Sequence, residues 1–245
     1  MYVSKVEIHS RLYPTCCCYP FNVPALRQTA ELTFRRPVAF FVGENGSGKS
    51  TLLEAIARRC GIHLWDKPKR HLSHQNPYEA KLVDYVTVMM TETKTTADSG
   101  TVRGNGRVVG SLFRAETFRD LADFLDDVAL CDPGRLEYHG GQILNTLSHG
   151  QAILSYLSHR YRTQGLFLLD EPEAALSPLS QLRFLELLHR LESNGGVQFV
   201  IATHSPILLS YPGAQIFDFD TVPITEVAYE ETSHYRIYKQ FFTQY

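Results

Sequence analysis

Hydrophobic and polar residues alternate near the start of the chain with the two-residue period of β-strands. Val3–Leu12 and Glu31–Phe34 follow this alternation, and Pro37–Val42 is a short apolar run that ends at a glycine, as a buried strand does. Lys49–Cys60 then changes to a helical period, with apolar residues on one face. The chain therefore begins with strands that lead into a helix.

Strand patterns and helix patterns alternate in the second half of the chain. The predicted helices are Thr117–Leu130, Gly150–Arg162 and Pro178–Glu192, and the predicted buried strands are Gly165–Asp170 and Val197–His204. This order is typical of a mainly parallel sheet that is covered on both faces. We predict an α/β fold in which helices flank a mainly parallel central sheet, with an antiparallel β subdomain at the N-terminus.

The remaining segments are less regular. Leu82–Met90 is predicted to be a strand, and the sequence GTVRGNGRVVG at residues 100–110 indicates a hairpin. From Gln215 onward the pattern predicts two edge strands and a closing helix, Ser233–Phe242.

These patterns favour one domain over residues 1–245, built as two lobes. We expect a core lobe at about 1–60 and 163–245. A smaller, mostly helical insert lobe is expected at about 61–162.

Composition and charge exclude several classes of protein. The 245 residues are 44% hydrophobic and carry a net charge of −2, so a globular core is expected and a global basic field for nucleic acid is absent. Nucleic acid remains a possible partner that net charge does not support. No apolar run reaches 18 residues, and the five cysteines form neither a disulfide framework nor a zinc-type spacing. We expect a cytoplasmic protein.

A phosphate-binding loop follows the third predicted strand. Its sequence is GENGSGKST, formed by Gly43, Glu44, Asn45, Gly46, Ser47, Gly48, Lys49, Ser50 and Thr51. Glycines let backbone N–H groups turn towards phosphate oxygens, and the following helix adds a favourable dipole. We expect Lys49 to reach the β- and γ-phosphates of ATP and Ser50 to ligate Mg²⁺.

Three further polar residues end buried strands. Asp170 and Glu171 follow the apolar run LFLL, and His204 ends the run FVIATH. Because a metal and phosphates lie at the carboxyl ends of parallel strands, Asp170 is expected to hold Mg²⁺ through its water. Glu171 is placed to deprotonate the attacking water, and His204 to contact the γ-phosphate.

A second candidate phosphate site opens a helix at residues 147–151, which read LSHGQ. Its candidate binding residues are Ser148, His149, Gly150 and Gln151. Ser148 is expected near the helix N-cap, and Gly150 allows close backbone approach. Because the P-loop lies on the other predicted lobe, too far away to share one nucleotide, this segment is expected to serve the nucleotide of a second copy.

Four motifs together resemble those of the ATP-binding-cassette (ABC) ATPases. They are GENGSGKST (Walker A), LSHGQ (signature), LFLLDEPEAALSP (Walker B with D-loop) and ATHS (switch histidine), in that family's order. The resemblance covers about residues 38–210 and implies a head-to-tail, ATP-dependent homodimer. The sequences EPEAALSP and ATHSPILL are similar to the corresponding segments of soluble recombination, chromosome-maintenance and phage-defence ATPases.

The sequence departs from the family pattern in three places. His149 stands where glycine is usual in the signature, so that a side chain is expected to face the partner's γ-phosphate, and Ser177 stands where aspartate is common in the D-loop. No clear Q-loop glutamine stands at a strand end before the signature: the candidates for this role are Gln75 and, as a polar substitute in the segment RAETF, Glu116. For adenine stacking the sequence offers Tyr19 or Phe21.

The leading hypothesis is therefore an ATPase that hydrolyses ATP with Mg²⁺ and moves an unidentified effector, in DNA repair or phage defence. The alternative is the nucleotide-binding energy subunit of an ABC transporter, against which the missing Q-loop glutamine argues. A third class, a module that binds nucleotide without hydrolysing it, is disfavoured by Glu171 and His204.

Overall fold

Strands and helices alternate along most of the chain in the computed structural model, which describes residues 1–65, 76–91, 102–103, 107–161 and 164–244. The strands are β1 (Val3–Ile8), β2 (Glu31–Thr33), β3 (Val38–Val42), β4 (Val86–Met90), β5 (Val102–Arg103), β6 (Arg107–Val108), β7 (Gly110–Arg114), β8 (Gly165–Asp170), β9 (Val197–Ala202), β10 (Gln215–Asp218) and β11 (Thr225–Val227). The helices are α1 (Pro24–Gln28), α2 (Lys49–Arg59), α3 (Phe118–Cys131), α4 (His149–Arg160), α5 (Pro178–Ser193), α6 (Pro206–Leu209) and α7 (Ser233–Gln244).

The central sheet has the strand order β11-β10-β3-β9-β8-β7. Neighbouring strands from β10 to β7 pair in parallel, and β11 pairs with β10 antiparallel. This confirms the predicted α/β fold with a mainly parallel sheet.

One prediction about the tail is wrong. Of the two predicted edge strands, only β11 lies at the edge, because β10 is inserted between β11 and β3. All four residues of β10 are buried, as expected for a strand with neighbours on both sides. The sequence QIFD is too short for its pattern to show whether the strand has one neighbour or two.

A second, antiparallel sheet forms the N-terminal subdomain, with the order β2-β1-β4. The predicted strand Val3–Leu12 ends at Ile8, which is paired with Val86 at the start of β4, and residues 10–12 form a 3₁₀ turn. Likewise, the first half of the predicted strand 82–90 is a 3₁₀ turn. The predicted hairpin is confirmed by the pairing of β5 with β6.

The two-lobe division stays a prediction. Within residues 61–162, β4 pairs with β1 of the antiparallel sheet and β7 pairs with β8 of the central sheet. The helices α3 and α4 follow these strands in the chain.

Alternate residues of the central strands pack into two hydrophobic cores. Phe41 and Val200 belong to the core shared with α2 and the antiparallel sheet, whereas Phe40 and Ile201 belong to the core shared with α4 and α5. The strands are therefore buried on both faces, which explains their continuous apolar sequences. In the described part of the chain, no helix is both long and apolar enough to cross a membrane.

A buried glutamine attaches the N-terminal subdomain to the central sheet. Gln198 of β9 accepts hydrogen bonds through Oε1 from the backbone N–H groups of Tyr2 (2.6 Å) and Val3 (2.7 Å), and its Nε2 donates to Val3 O (2.9 Å). The side chain is fully buried, so these bonds replace water completely.

We predict that Gln198→Leu lowers the free energy of unfolding by about 2–4 kcal/mol, because two buried backbone donors lose their acceptor. Urea denaturation of both proteins measures the difference. Gln28→Leu, at an exposed glutamine, is the matched control and should change stability by less than about 0.5 kcal/mol. Equal stability of the Gln198 variant and the wild type would refute this role.

Candidate functional site

The candidate site lies where the parallel strands β3, β8, β9 and β7 end. Their carboxyl ends lead into residues 43–48, Asp170–Glu171, residues 203–205 and residues 114–116, respectively. Parallel pairing brings these four segments to the same edge of the sheet. The strand-end residues selected from the sequence are therefore brought together.

The loop at residues 43–51 has the backbone of a phosphate cradle. Gly43, Gly46 and Gly48 have φ angles of 144°, 82° and 100°, which disfavour residues with a Cβ. Gly48 caps α2, and a Cβ there would lie 3.0 Å from the side chain of Leu26. Glu44 and Asn45 are exposed at the rim.

Lys49 is held across this loop. Its Nζ donates to the backbone oxygens of Gly43 (2.6 Å) and Glu44 (2.9 Å), and the residue is only 4% exposed. Burial lowers the pKa of the ammonium group, against the opposing effect of nearby carboxylates. The hydroxyl of Ser47 is also buried and has no protein hydrogen-bond partner. The loop thus carries the Lys49 ammonium group and the unpaired Ser47 hydroxyl, both of which can donate hydrogen bonds to an anion.

Ser50 and Asp170 meet at the end of β8. Ser50 Oγ donates to Asp170 Oδ1 at 2.7 Å, and Arg114 Nε lies 3.9 Å from Asp170 Oδ2. Burial raises the pKa of Asp170 to about 6, opposed by Ser50 and Arg114. Hydroxyl and carboxylate oxygens such as Ser50 Oγ and Asp170 Oδ1 are the type of ligand that Mg²⁺ prefers.

Glu171 and His204 face each other just beyond the ends of β8 and β9, one and two residues after the strands, respectively. Glu171 Oε1 lies 3.6 Å from His204 Nε2, and the Glu171 side chain is 44% exposed. Glu171 has a φ angle of 49°, a conformation that residues with a side chain rarely adopt and that concentrates at functional sites. The His204 backbone N–H donates to Glu173 Oε1 at 2.6 Å.

His204 Nε2 is the unused atom of this pair. It is buried and has no protein hydrogen-bond partner, because 3.6 Å is beyond hydrogen-bond distance. Burial lowers the pKa of this imidazole, and the nearby Lys49 adds to the effect.

The signature segment begins α4 with a reciprocal cap. Ser148 Oγ accepts from Gln151 N at 3.4 Å, and Gln151 Oε1 accepts from Ser148 N at 3.1 Å. Both residues are exposed. Gly150 is packed so closely that a Cβ would lie 2.9 Å from Ala175 O. This explains the glycine of the motif.

The expectation that His149 faces a partner's γ-phosphate stays a prediction. The residue is half-buried, its ring lies 5.8 Å from the Phe118 ring, and it lines a cavity of about 320 Å³ with Ser50 and Asp170 of the same chain. The signature segment therefore borders the candidate site of its own chain at this residue, while Ser148 and Gln151 are exposed.

The structure shows the surroundings of three of the four candidates for the Q-loop and adenine-stacking roles. Glu116 is exposed and lines the same cavity, while Gln75 lies outside the described residues. Tyr19 is 38% exposed and its hydroxyl contacts Thr51 Oγ1, whereas Phe21 is fully buried. Of the two aromatic candidates, only Tyr19 presents a ring surface beside the loop.

Three contributors to the site have no role in the sequence analysis. Arg114 donates to Glu54 Oε2 (2.5 Å) beside Asp170, and Asp220 Oδ1 accepts from Glu44 N (2.7 Å). His234 Nε2 lies 3.3 Å from His204 Nδ1. The strand end IFDFD is the available signal for Asp220, but the pattern of the tail places this strand at the sheet edge.

Two family models match the chain. Residues 136–210 match the family described as "AAA domain, putative AbiEii toxin, Type IV TA system", and residues 21–82 match an AAA domain family.

Curated relatives extend this similarity over two thirds of the chain. The cytochrome c biogenesis ATP-binding export protein CcmA of Pseudomonas aeruginosa is 30% identical over 175 residues, covering 68% of this chain and 79% of that protein. The thiamine import ATP-binding protein ThiQ of Ruegeria sp. (strain TM1040) is 28% identical, covering 67% and 69%.

Solved structures share the fold at low sequence identity. A nucleotide-free ATP-binding cassette from an ABC transporter superposes with a TM-score of 0.50 at 16% identity, covering 89% of this chain and 87% of that one. The SMC head domain from Thermotoga maritima has a TM-score of 0.50 at 15% identity, covering 93% and 99%.

We predict that Asp170→Asn stabilises the protein above pH 7 without divalent ions. The raised pKa means that the folded state binds the proton of Asp170 more tightly than the unfolded state does. This stabilising contribution is therefore full below about pH 4 and lost as the pH rises through about 6. Asparagine removes the buried charge and keeps an acceptor for Ser50, so the free energy of unfolding at pH 7.5 should rise by about 1–3 kcal/mol.

Urea denaturation at pH 7.5 and pH 4 measures the effect, which should shrink at the lower pH. Asp127→Asn, at an exposed aspartate of α3, is the control and should change stability by less than about 0.5 kcal/mol. A variant less stable than the wild type at pH 7.5 would contradict the prediction.

Proposed function

The chain belongs to the ATP-binding-cassette superfamily of ATPases, and from this premise we propose that it hydrolyses ATP with Mg²⁺ as a head-to-tail dimer that drives an effector. The observation that carries the proposal is the convergence of Lys49, the Ser50–Asp170 pair and the Glu171–His204 pair at one edge of the sheet. Each pair joins segments from different strands.

The triphosphate is proposed to lie in the loop at residues 43–51. Positive φ angles at Gly46 and Gly48 turn the backbone into a cradle, and the amino end of α2 adds a favourable dipole. Lys49 Nζ now donates to two backbone oxygens and would exchange them for phosphate oxygens. The buried Ser47 hydroxyl supplies another donor. Tyr19 is the proposed stacking surface for adenine.

Ser50 and Asp170 are proposed to hold Mg²⁺, directly and through water respectively. Their oxygens lie 2.7 Å apart, and Asp170 carries a charge that burial disfavours until a cation is near. When bound, the metal neutralises charge on the phosphate oxygens. In the described residues no cluster of three or more His, Cys, Asp or Glu side chains is arranged as a metal cage, which agrees with a site that is completed by substrate phosphates.

Glu171 is proposed as the general base and His204 as the group that orients the γ-phosphate and the water. Glu171 is partly exposed, so water reaches its carboxylate, and its strained backbone fixes the side chain beside His204. The unused Nε2 of His204 is the donor for the phosphate. Catalysis is then mainly positioning and charge neutralisation.

The dimer is proposed because the signature segment exposes the amino end of α4 to solvent. Ser148 and Gln151 are exposed at the amino end of α4, where the first backbone N–H groups have no partner within the helix. Such a terminus suits the phosphates of a nucleotide bound to a second copy. His149 is proposed to take part in this contact, since it is only half-buried.

The effector is proposed to act in DNA repair or phage defence. The sequences of the D-loop and switch motifs, which resemble those of soluble recombination, chromosome-maintenance and phage-defence ATPases, support this choice. The second candidate, a transporter energy subunit, is supported by the import and export names of the curated relatives. ATPase assays with and without duplex DNA, at two salt concentrations, separate them: salt-sensitive stimulation favours the first, and its absence together with co-purification of a membrane permease favours the second.

We predict that Glu171→Gln lowers ATP turnover at least about 100-fold, because the general base is lost while binding is retained. With ATP and Mg²⁺ this variant should elute as a dimer in size-exclusion chromatography. The double variant Lys49→Ala/Glu171→Gln is the control and should remain a monomer, because the triphosphate loses its cation. A monomeric Glu171 variant that binds ATP would rule out the dimer.

We also predict that two inactive variants complement each other. Lys49→Ala removes the loop cation and Ser148→Arg blocks the signature, so each homodimer is inactive. In an equal mixture, the mixed dimer keeps one intact site, and about a quarter of wild-type turnover should return if subunits exchange freely. If turnover stays at the level of the separate variants, each chain must hold a complete site.

A further inference from the structure

The last helix of the chain reaches the candidate site. His234 is the second residue of α7, and its Nε2 lies 3.3 Å from His204 Nδ1. The two rings are tilted by 50° with centroids 5.4 Å apart, so they meet through their nitrogens and are not stacked. On its other side, His234 Nδ1 lies 3.3 Å from Ser233 Oγ.

These contacts are compatible with one direction of hydrogen bonding. If Ser233 donates its hydroxyl proton to His234 Nδ1, the neutral His234 ring carries its proton on Nε2 and donates it to His204 Nδ1. His204 then carries its own proton on Nε2, the buried atom without a protein partner that is directed at Glu171. This is the tautomer in which His204 donates to a γ-phosphate.

We propose that His234 is a positioning residue that fixes the tautomer and orientation of His204, so that docking of α7 becomes a requirement for efficient ATP hydrolysis. The inference rests on the proposed function. It assigns to α7 a regulatory role at the same site.

The remaining groups near His234 agree with a neutral ring. Asp220, Asp218 and Glu44 raise its pKa, while burial, the largest effect, and Lys49 lower it. The net pKa is lowered, as it is for His204. Two adjacent neutral imidazoles share one proton between Nε2 and Nδ1 without repulsion.

The helix α7 is fixed to the rest of the protein mainly at its first turn, so that the His234–His204 contact depends on this turn staying in place. Thr232 anchors the start of the helix: it is fully buried, its hydroxyl donates to Tyr229 O (2.7 Å), and it accepts from Tyr235 N (3.2 Å). Beyond this point no residue of Ser233–Gln244 is buried, and Phe242 is 72% exposed. A displacement of α7 would therefore move a helix whose first turn holds His234 against His204.

The test compares His234→Phe with His234→Gln. Phenylalanine keeps the ring shape but loses the donor, and kcat for ATP should fall about tenfold with KM within twofold of the wild type. Glutamine places an N–H donor where Nε2 was and should restore kcat to within about threefold of the wild type. Ile237→Gln, at an exposed position of α7, is the control and should leave kcat unchanged.

A double-mutant cycle distinguishes positioning from general damage. His204→Ala/His234→Phe should be no slower than His204→Ala alone, because His234 acts through His204. The proposal is overturned if His234→Phe leaves kcat unchanged, or if its loss is fully additive in the His204→Ala background.

A readout without turnover separates this inference from the proposed function. ¹⁵N NMR of the histidines in nucleotide-free protein should show His204 protonated on Nε2 in the wild type, and the Nδ1–H form should become populated in His234→Phe. If the wild type hydrolyses no ATP, the proposed function fails while this experiment still tests the pair. An Nδ1–H tautomer in the wild type would overturn the positioning role.

Discussion

The hydrogen bond between Ser50 and Asp170 joins the start of α2 to the end of β8, two points separated by 120 residues in the chain. It forms because β3 and β8 are both parallel neighbours of β9, so that the segments after these strands emerge at the same edge of the sheet. The loop, the acidic pair and the switch histidine all depend on this register. A shift of one strand by one residue would turn the side chains of that strand to the other face of the sheet and separate its segment from the rest of the site.

The site is assembled from groups that are unfavourable on their own. Lys49 is buried with a lowered pKa, Asp170 is buried with a raised pKa, and Glu171 adopts a left-handed backbone conformation. Each state costs free energy that two buried cores on either side of the sheet must offset. This arrangement is typical of a site that reaches its most stable state only with an anionic substrate and a cation in place.

Much of the fold could be predicted from the sequence because the apolar runs are long and their ends are polar. The runs PVAFFV, GLFLLD and VQFVIATH predicted β3, β8 and β9 within two residues at each end, and the polar residues at or after their ends led directly to Lys49, Asp170 and His204. Their proposed roles remain predictions, although the structure places them together. The short strand β10 was misplaced at an edge, since four residues carry no signal for which neighbour they pair with.

Side-chain direction was harder to predict than element position. The contact of His149 with Phe118 joins two different helices, and the contact of His234 with His204 depends on the path of residues 205–232. Neither relationship has a fixed spacing in the chain. Such contacts become visible only when the packing of separate elements is known.

The close approach of Gly150 to Ala175 carries a consequence for communication between subunits. Ala175 lies four residues after Glu171, in the short turn at residues 172–175, and its carbonyl leaves no room for a Cβ on α4. A rearrangement after hydrolysis at Glu171 would therefore push or release the signature helix of the same subunit. In the proposed head-to-tail pair that helix would face the opposite nucleotide, so a change at one site would be felt at the other.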